Sequence, residues 1–285
     1  MVVMVKKVSL INMKGGVGKS TLAVNLAWQF AGLRKWNKKV LVVDLDPQFN
    51  ASQYLIGASK YESILANNIP TIWDVFEQLT QTPGRGPPTP LDPQAVLFHV
   101  IRYTDGSCID LIPSRLELAY SLRNPGQKES LLADVISKVQ DDYDLVLLDC
   151  APTESVLTTS AYIASDFILV PVKPEYLSTI GLPLLVRSMR EFSASPYGKK
   201  KLQLAGLVFN HTSDYSPEEI KSKDEVKALA AKNGWYVFKA EVTFSRSYPK
   251  GAREGRPIFR TSYARSTQAE KFEEFADEFA KRISL

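Results

Sequence analysis

The chain has 285 residues, 45% of them apolar and 23% charged, which is the composition of an ordinary folded protein and gives no sign of disorder or a fibrous repeat. A formal net charge of +4 permits contact with nucleic acid without implying it. No apolar run reaches the roughly 18 residues of a membrane span, residues 1–7 lack a secretion-signal pattern, and Cys108 and Cys150 form no CxxC, so the expectation is a cytoplasmic protein without a disulfide framework or zinc site.

Short apolar runs alternate with amphipathic stretches from end to end, which predicts an α/β fold with a mostly parallel sheet flanked by helices on both faces. In chain order the reading is strand Val5 to Ile11, helix Lys19 to Leu33, strand Val40 to Val43 and helix Ile72 to Leu79. Next comes Pro83-Gly84-Arg85-Gly86-Pro87-Pro88-Thr89-Pro90, where proline removes donors and restricts its predecessor; it predicts an exposed loop at about 82–93. Strand Ile109 to Ile112, helix Ser130 to Gln140, and strands Leu145 to Leu148 and Phe167 to Val170 follow. Helix Gly181 to Phe192, strand Leu204 to Phe209, helix Pro217 to Lys232, strand Trp235 to Val242 and helix Thr267 to Ile283 complete the order. The strands are rich in Val, Ile and Leu, as buried parallel strands are. With no repeat and no domain-scale linker, residues 1–285 read as a single domain.

The chemistry concentrates after the first strand, in Met13-Lys14-Gly15-Gly16-Val17-Gly18-Lys19-Ser20-Thr21. Gly15, Gly16 and Gly18 let the backbone turn tightly and aim its N–H groups inward, and the helix opening at Lys19 adds its positive end, which makes a cradle for phosphates. Lys19 is then placed for the β and γ phosphates, Ser20 for Mg²⁺ and Thr21 for the α phosphate. Two further segments bring carboxylates to strand ends. In Val43-Asp44-Leu45-Asp46-Pro47-Gln48 the two acids stand at i and i+2, on one side of an extended chain. Leu145-Val146-Leu147-Leu148-Asp149 ends a buried strand on a single acid, as a Walker B segment does.

The glycine loop departs from G-x-x-x-x-G-K-[ST], having Met13 at the first glycine position and an early second lysine, Lys14. It resembles the deviant Walker A loop, K-G-G-x-G-K-[ST], of the P-loop ATPase family that includes ParA partition ATPases, MinD and the nitrogenase iron proteins. The D-x-D-P-Q segment and Asp149-Cys150-Ala151-Pro152 resemble the same family in the same order, closest to its ParA-type members. So do Val170-Pro171-Val172 with Glu175-Tyr176-Leu177, the strand ending at Asn210, and 251–258. The resemblance implies ATP and Mg²⁺ as cofactors and a homodimer in the ATP state, with Lys14 reaching the partner's phosphates. It implies Asp46 as the residue that positions attacking water, Asp44, Asp149 and Ser20 as the magnesium set, and Asn210 as the adenine contact. One departure is local: Phe49 stands where the family usually has glycine.

The output of an ATP-driven dimer is read from Arg246, Lys250, Arg253, Arg256, Arg260 and Arg265, which face only Glu254 in 246–265 and suit phosphate neutralisation without sequence readout. Arg187 and Arg190 are candidates to join them. The expected protein is thus a ParA-like ATPase that binds nonspecific DNA on the nucleoid, positions DNA or another large cargo, and is stimulated by a ParB-like or other adaptor. A MinD-like membrane ATPase would use the stripe Phe272, Phe275, Phe279 and Ile283, but its polar face is acidic, so no membrane partner is expected. An iron–sulfur reductase would need exposed thiols, and Cys150 directly follows Asp149 on a buried strand.

Overall fold

The computed structural model describes residues 4–80, 90–123, 126, 128–175, 178–199, 202–213, 216–263 and 265–285. Most of the proline-rich segment, 83–89, and Tyr176 and Leu177 lie outside them.

The chain runs β1 (Lys6–Leu10), α1 (Lys19–Gly32), β2 (Lys39–Leu45), α2 (Asn50–Ile56), α3 (Ala58–Ala66), α4 (Ile72–Glu77), β3 (Phe98–Arg102) and β4 (Cys108–Ile112). It continues with α5 (Leu118–Ser121), α6 (Leu131–Val139), β5 (Leu145–Cys150), α7 (Val156–Ala164), β6 (Phe167–Val172), α8 (Ser178–Ala194), β7 (Gln203–Thr212), α9 (Pro217–Asn233), β8 (Val242–Thr243), α10 (Ser247–Glu254) and α11 (Ser266–Ile283). These strands form one eight-stranded sheet in the order β3-β4-β2-β5-β1-β6-β7-β8. All neighbours are parallel except the β3–β4 hairpin at one edge.

Each face of the sheet is sealed by helices. Against one face pack α1, α2, α10 and α11; against the other pack α4, α6, α7 and α8. Helix α1 is buried almost throughout, from Leu22 to Ala31, because α11 covers the side that would otherwise meet solvent. The stripe Phe272, Phe275, Phe279 and Ile283 lies wholly in that core, so the apolar face that a membrane tail would need is already occupied. Among the described residues no helix is long and apolar enough to cross a membrane.

The sequence reading and the structure differ at identifiable places. The strand expected at Trp235 to Val242 reduces to a single bridge at Val237 and the two-residue β8, because the chain passes the sheet edge with only Leu207 as a partner before turning away. Strand β3 and helices α2, α3, α5, α7 and α10 went unread. The strand alternates weakly and is half exposed at an edge, and α10 holds Pro249 and Gly251, residues that argue against a helix from sequence alone.

What matters for function is the strand order. Placing β5 between β2 and β1 aligns Asp44 with Asp149, and Leu10 with Asp149, at the carboxyl ends of adjacent strands. The glycine loop after β1 therefore opens beside both acidic strand ends, at a crevice where open α/β sheets bind ligands.

Candidate functional site

The loop between β1 and α1 is tied to the neighbouring strands β6 and β7 by two asparagine side chains. Asn12 donates to the Pro171 carbonyl at 2.7 Å and accepts from the Lys14 backbone at 2.9 Å. From β7, Asn210 donates to the Val17 carbonyl at 2.7 Å. Gly16 and Gly18 have φ of +73° and +88°, the left-handed region, and a Cβ on Gly18 would stand 2.2 Å from the Asn210 amide nitrogen. Only glycine meets both demands at that position. Gly18 also caps α1 with no side-chain acceptor, leaving the helix's first N–H groups directed into the loop.

Above this cradle lies a cavity of about 350 Å³. Gly15, Gly16, Gly18, Lys19, Ser20 and Thr21 line one side; Asp46, Asn50, Gln53 and Tyr54 line another, with Pro152 and Ala252 closing it. Lys19 folds back along the loop and donates to the Asn12 and Lys14 carbonyls at 3.2 and 3.3 Å. Burial lowers its pKa, and the carboxylates of Asp149 and Asp46 oppose that shift. The ammonium is thus desolvated and held where negative charge would be strongly attracted.

The three acids occupy distinct environments. Asp46 lies on the cavity wall and accepts the Gln48 backbone N–H at 2.9 Å. Asp149 is fully buried, and neither carboxylate oxygen has a hydrogen-bond partner. Burial, together with the nearby Asp44 charge, pushes its pKa well above the usual carboxylate range, against the influence of Ser20 and Lys19 beside it. An orphaned buried carboxylate next to a serine hydroxyl on an anion cradle is a donor set that fits a hard divalent cation such as Mg²⁺. Asp44, expected in the metal set, accepts hydrogen bonds at both carboxylate oxygens. Its oxygens accept from the Ser52 N–H at 2.8 Å, the Ser52 hydroxyl at 2.7 Å and the Asp46 N–H at 3.1 Å, so it ties α2 to the end of β2. Burial nevertheless raises its pKa to about 7.

Asn210, expected as the adenine contact, is 1% exposed, lies outside the residues that line the cavity, and gives its side-chain N–H to the glycine loop. Lys14 points away from the cavity and pairs with Glu175 at 3.0 Å, an acid that Lys173 also contacts. Those two lysines hold the Glu175 carboxyl below its usual pKa.

The basic residues of 246–265 form a surface beside this site. Arg246 precedes α10, Lys250 and Arg253 lie on it, and Arg256 and Arg260 follow. Lys250 pairs with Glu254 at 3.3 Å; Arg246, Arg253, Arg256 and Arg265 are exposed and make no ion pair among the described residues. Arg187 does not join this surface in the structure: it pairs with Glu191 at 2.7 Å on α8, in a groove with Met13 and Pro152. Both cysteines are buried, and burial raises the pKa of each thiol.

Sequence reasoning did not find Asn12, Asn25, Tyr54 or the Lys14–Glu175 pair. Asn25 is fully buried in α1; it donates to the Thr21 carbonyl at 2.8 Å and the Tyr54 hydroxyl at 3.1 Å, and accepts from the Ile258 N–H at 2.9 Å. It thereby joins the phosphate helix, the helix after Asp46 and the segment after α10. Only Asn12, immediately before the glycine loop, carried a local signal.

A cradle of glycines and a buried lysine at the carboxyl end of a mostly parallel sheet, with acids at two adjacent strand ends, defines a P-loop nucleoside triphosphatase fold. An AAA domain family model matches residues 5–204. The chain is 35% identical over 204 residues to the chromosome-partitioning ATPase Soj of Thermus thermophilus, covering 72% of this chain and 68% of the relative. It is 29% identical to the Soj sporulation initiation inhibitor of Bacillus subtilis, covering 96% and 98% respectively. The fold superposes on McdA from Cyanothece, solved as an ATP complex, with a TM-score of 0.76 at 16% identity, covering 99% of this chain and 97% of McdA. The chain belongs to the ParA/Soj family of partition ATPases.

Proposed function

We propose that this protein is an ATP-dependent positioning ATPase that dimerises around ATP, is retained on nonspecific duplex DNA in that state, and is released when a partner stimulates hydrolysis. The reading rests on one observation: the basic segment is built onto the wall of the nucleotide cavity. Ala252 of α10 lines that cavity, one residue before exposed Arg253, and α10 packs on α2, the helix that follows Asp46.

In this reading the cradle N–H groups and Lys19 bind the β and γ phosphates, and Thr21 reaches the α phosphate. Ser20 and Asp149 hold Mg²⁺, which when bound neutralises charge on the phosphate oxygens. Asp46, on the cavity wall with its other oxygen free of the Gln48 contact, orients water toward the γ phosphate. Asp44 and Asn210 act one layer back, on α2 and on the loop. Lys14 leaves Glu175 to reach phosphates held by a second subunit, which makes dimerisation and nucleotide binding one linked equilibrium. Two basic surfaces in one dimer then bind a DNA segment with avidity.

Retention on nonspecific duplex DNA at fixed salt, compared with ATP, with ADP and without nucleotide, tests this. Retention with ATP alone, lost in Lys19→Ala, is expected; equal or absent retention in all states would overturn the DNA output.

A further inference from the structure

Asp46 stands one residue past the end of β2, on the wall of the nucleotide cavity, and its backbone is held by bonds that lead away from that cavity. Its N–H donates to Asp44 Oδ1 at 3.1 Å. The other Asp44 oxygen, Oδ2, receives both donors of Ser52, the N–H at 2.8 Å and the hydroxyl at 2.7 Å. The Ser52 hydroxyl oxygen in turn accepts the Ser114 N–H at 2.9 Å, two residues past β4, and the Ser114 carbonyl accepts from the Tyr61 hydroxyl of α3 at 2.9 Å. Asp44, Ser52 and Ser114 are all fully buried, so bulk water does not compete for these bonds.

The start of α2 explains why the chain is needed. The helix follows Phe49, whose side chain offers no acceptor to the first turn, so the N–H of Ser52, the third residue of the helix, must find one elsewhere. Asp44 supplies it from β2. A hydroxyl that donates to a carboxylate and accepts from a backbone N–H has its rotation fixed, and here it fixes the carboxylate as well. Ser52 is thus the one side chain that joins the ends of β2 and β4 to α2, the helix whose Asn50, Gln53 and Tyr54 line the cavity. Ser52 itself is not among the lining residues. A tie that served packing alone would end on the scaffold; this one ends on the backbone of the acid that faces the cavity. The Asp46 side chain is braced from the other direction, its Oδ1 accepting the Gln48 N–H at 2.9 Å.

We propose that Ser52 is a positioning residue for hydrolysis: through Asp44 it holds Asp46 in the orientation that aims water at the γ phosphate. The inference rests on the water-directing role given to Asp46 above and assigns Ser52 no contact with the nucleotide. Displacing a reacting group by about 1 Å costs as much as about a hundredfold in rate, so a small turn of Asp46 is enough to be read.

The test is single-turnover hydrolysis of ATP bound beforehand with Mg²⁺, which counts only folded, loaded protein. Ser52→Ala should lower the rate constant about tenfold or more while the dissociation constant for ATP stays within about twofold. Ser52→Thr keeps the hydroxyl and should return the rate to within about threefold of wild type. In an Asp46→Asn background Ser52→Ala should have no further effect, because the group it positions is gone.

An unchanged rate constant in Ser52→Ala would overturn the proposal. So would a slowing matched by an equal loss of ATP affinity, which marks a loosened fold, a threonine variant as slow as the alanine one, or losses that multiply in the double variant. Hydrolysis at the wild-type rate by Asp46→Asn alone would instead overturn the role of Asp46, so the two failures are distinguishable.

Discussion

Phe49 occupies the left-handed region at φ 47°, ψ 30°, as the residue preceding α2, in a position where the related loop has glycine. A bulky residue there costs about 1–2 kcal/mol. Its ring stacks on Tyr61 at 4.9 Å with 16° between planes, and Tyr61 is anchored by its hydroxyl on the Ser114 carbonyl. The stack and the burial offset the backbone strain by a similar amount. Phe49→Ala keeps the strain and loses the stack, so denaturant unfolding should show a loss of about 2 kcal/mol. Phe49→Gly loses both and should stay within about 1 kcal/mol of wild type. Asp149 carries the opposite tension. Its folded pKa lies above the ordinary 3.8, so at neutral pH its charge costs stability, and the cost grows as pH rises from 3.8 toward the folded pKa. Asp149→Asn should therefore stabilise the metal-free protein by about 1–2 kcal/mol while weakening Mg²⁺-dependent ATP binding. Thermal melts with and without Mg²⁺ and ATP would read both, and a destabilised Asn variant would argue against the orphaned-carboxylate account.

At the scale of elements, α4 is fastened to the start of α6 by a buried ion pair. Glu77 accepts from Lys128 at 2.7 Å and from Ser121, and the two charged side chains are only 8% and 6% exposed. Burial alone would raise the Glu77 pKa, but the bonds from Lys128 and Ser121 prevail and hold it below its ordinary 4.5. A depressed carboxyl contributes stability that is fully present above its unfolded pKa and lost as pH falls through the folded one. Lys128→Met strands the carboxylate and should cost about 3 kcal/mol at pH 7. The gap to wild type should narrow as pH falls below the ordinary 4.5 and through the depressed folded pKa, which urea titrations across that range would show. Nothing in the sequence around Glu77 or Lys128 signals this pair, since each is an ordinary surface-type residue until the fold brings them together over 51 positions. The glycine loop and the acids at 44, 46 and 149 were legible because their chemistry is local and ordered along the chain. The central strands were legible because burial on both faces demands unbroken Val, Ile and Leu. The hydrogen-bond partners of Asp44 and Asn210 were not, because packing sets which backbone groups stand beside a carboxylate or an amide. Helix α10 escaped because Pro249 is tolerated in a first turn and Gly251 is required by the close approach of the Arg256 carbonyl and the Tyr54 hydroxyl, 2.6 and 2.7 Å from where its Cβ would lie.

For the molecule as a whole, the nucleotide and the basic surface share one mechanical frame. Asn25 links the phosphate helix to Tyr54 and Ile258, and Asp44 fixes the same helix α2 from the other side. A shift of α2 when Asp46 and Gln53 meet a nucleotide would thus be felt directly at α10, with no long relay between them.

The ion pair between Lys14 and Glu175 makes the proposed dimerisation an exchange of one counter-charge for another. Such an exchange is close to isocoulombic: the number of formal contacts between opposite charges is nearly the same on both sides, so few mobile ions are taken up or set free. Binding of DNA to the arginine surface has no such compensation and releases the ions condensed on the phosphates. Raising salt should therefore strip the protein from DNA while the ATP dimer persists, and sedimentation beside DNA retention over one salt series would resolve the two steps. In a crowded ionic milieu, ionic strength would then set how firmly the dimer holds its track, while hydrolysis, by dissolving the dimer, would release it.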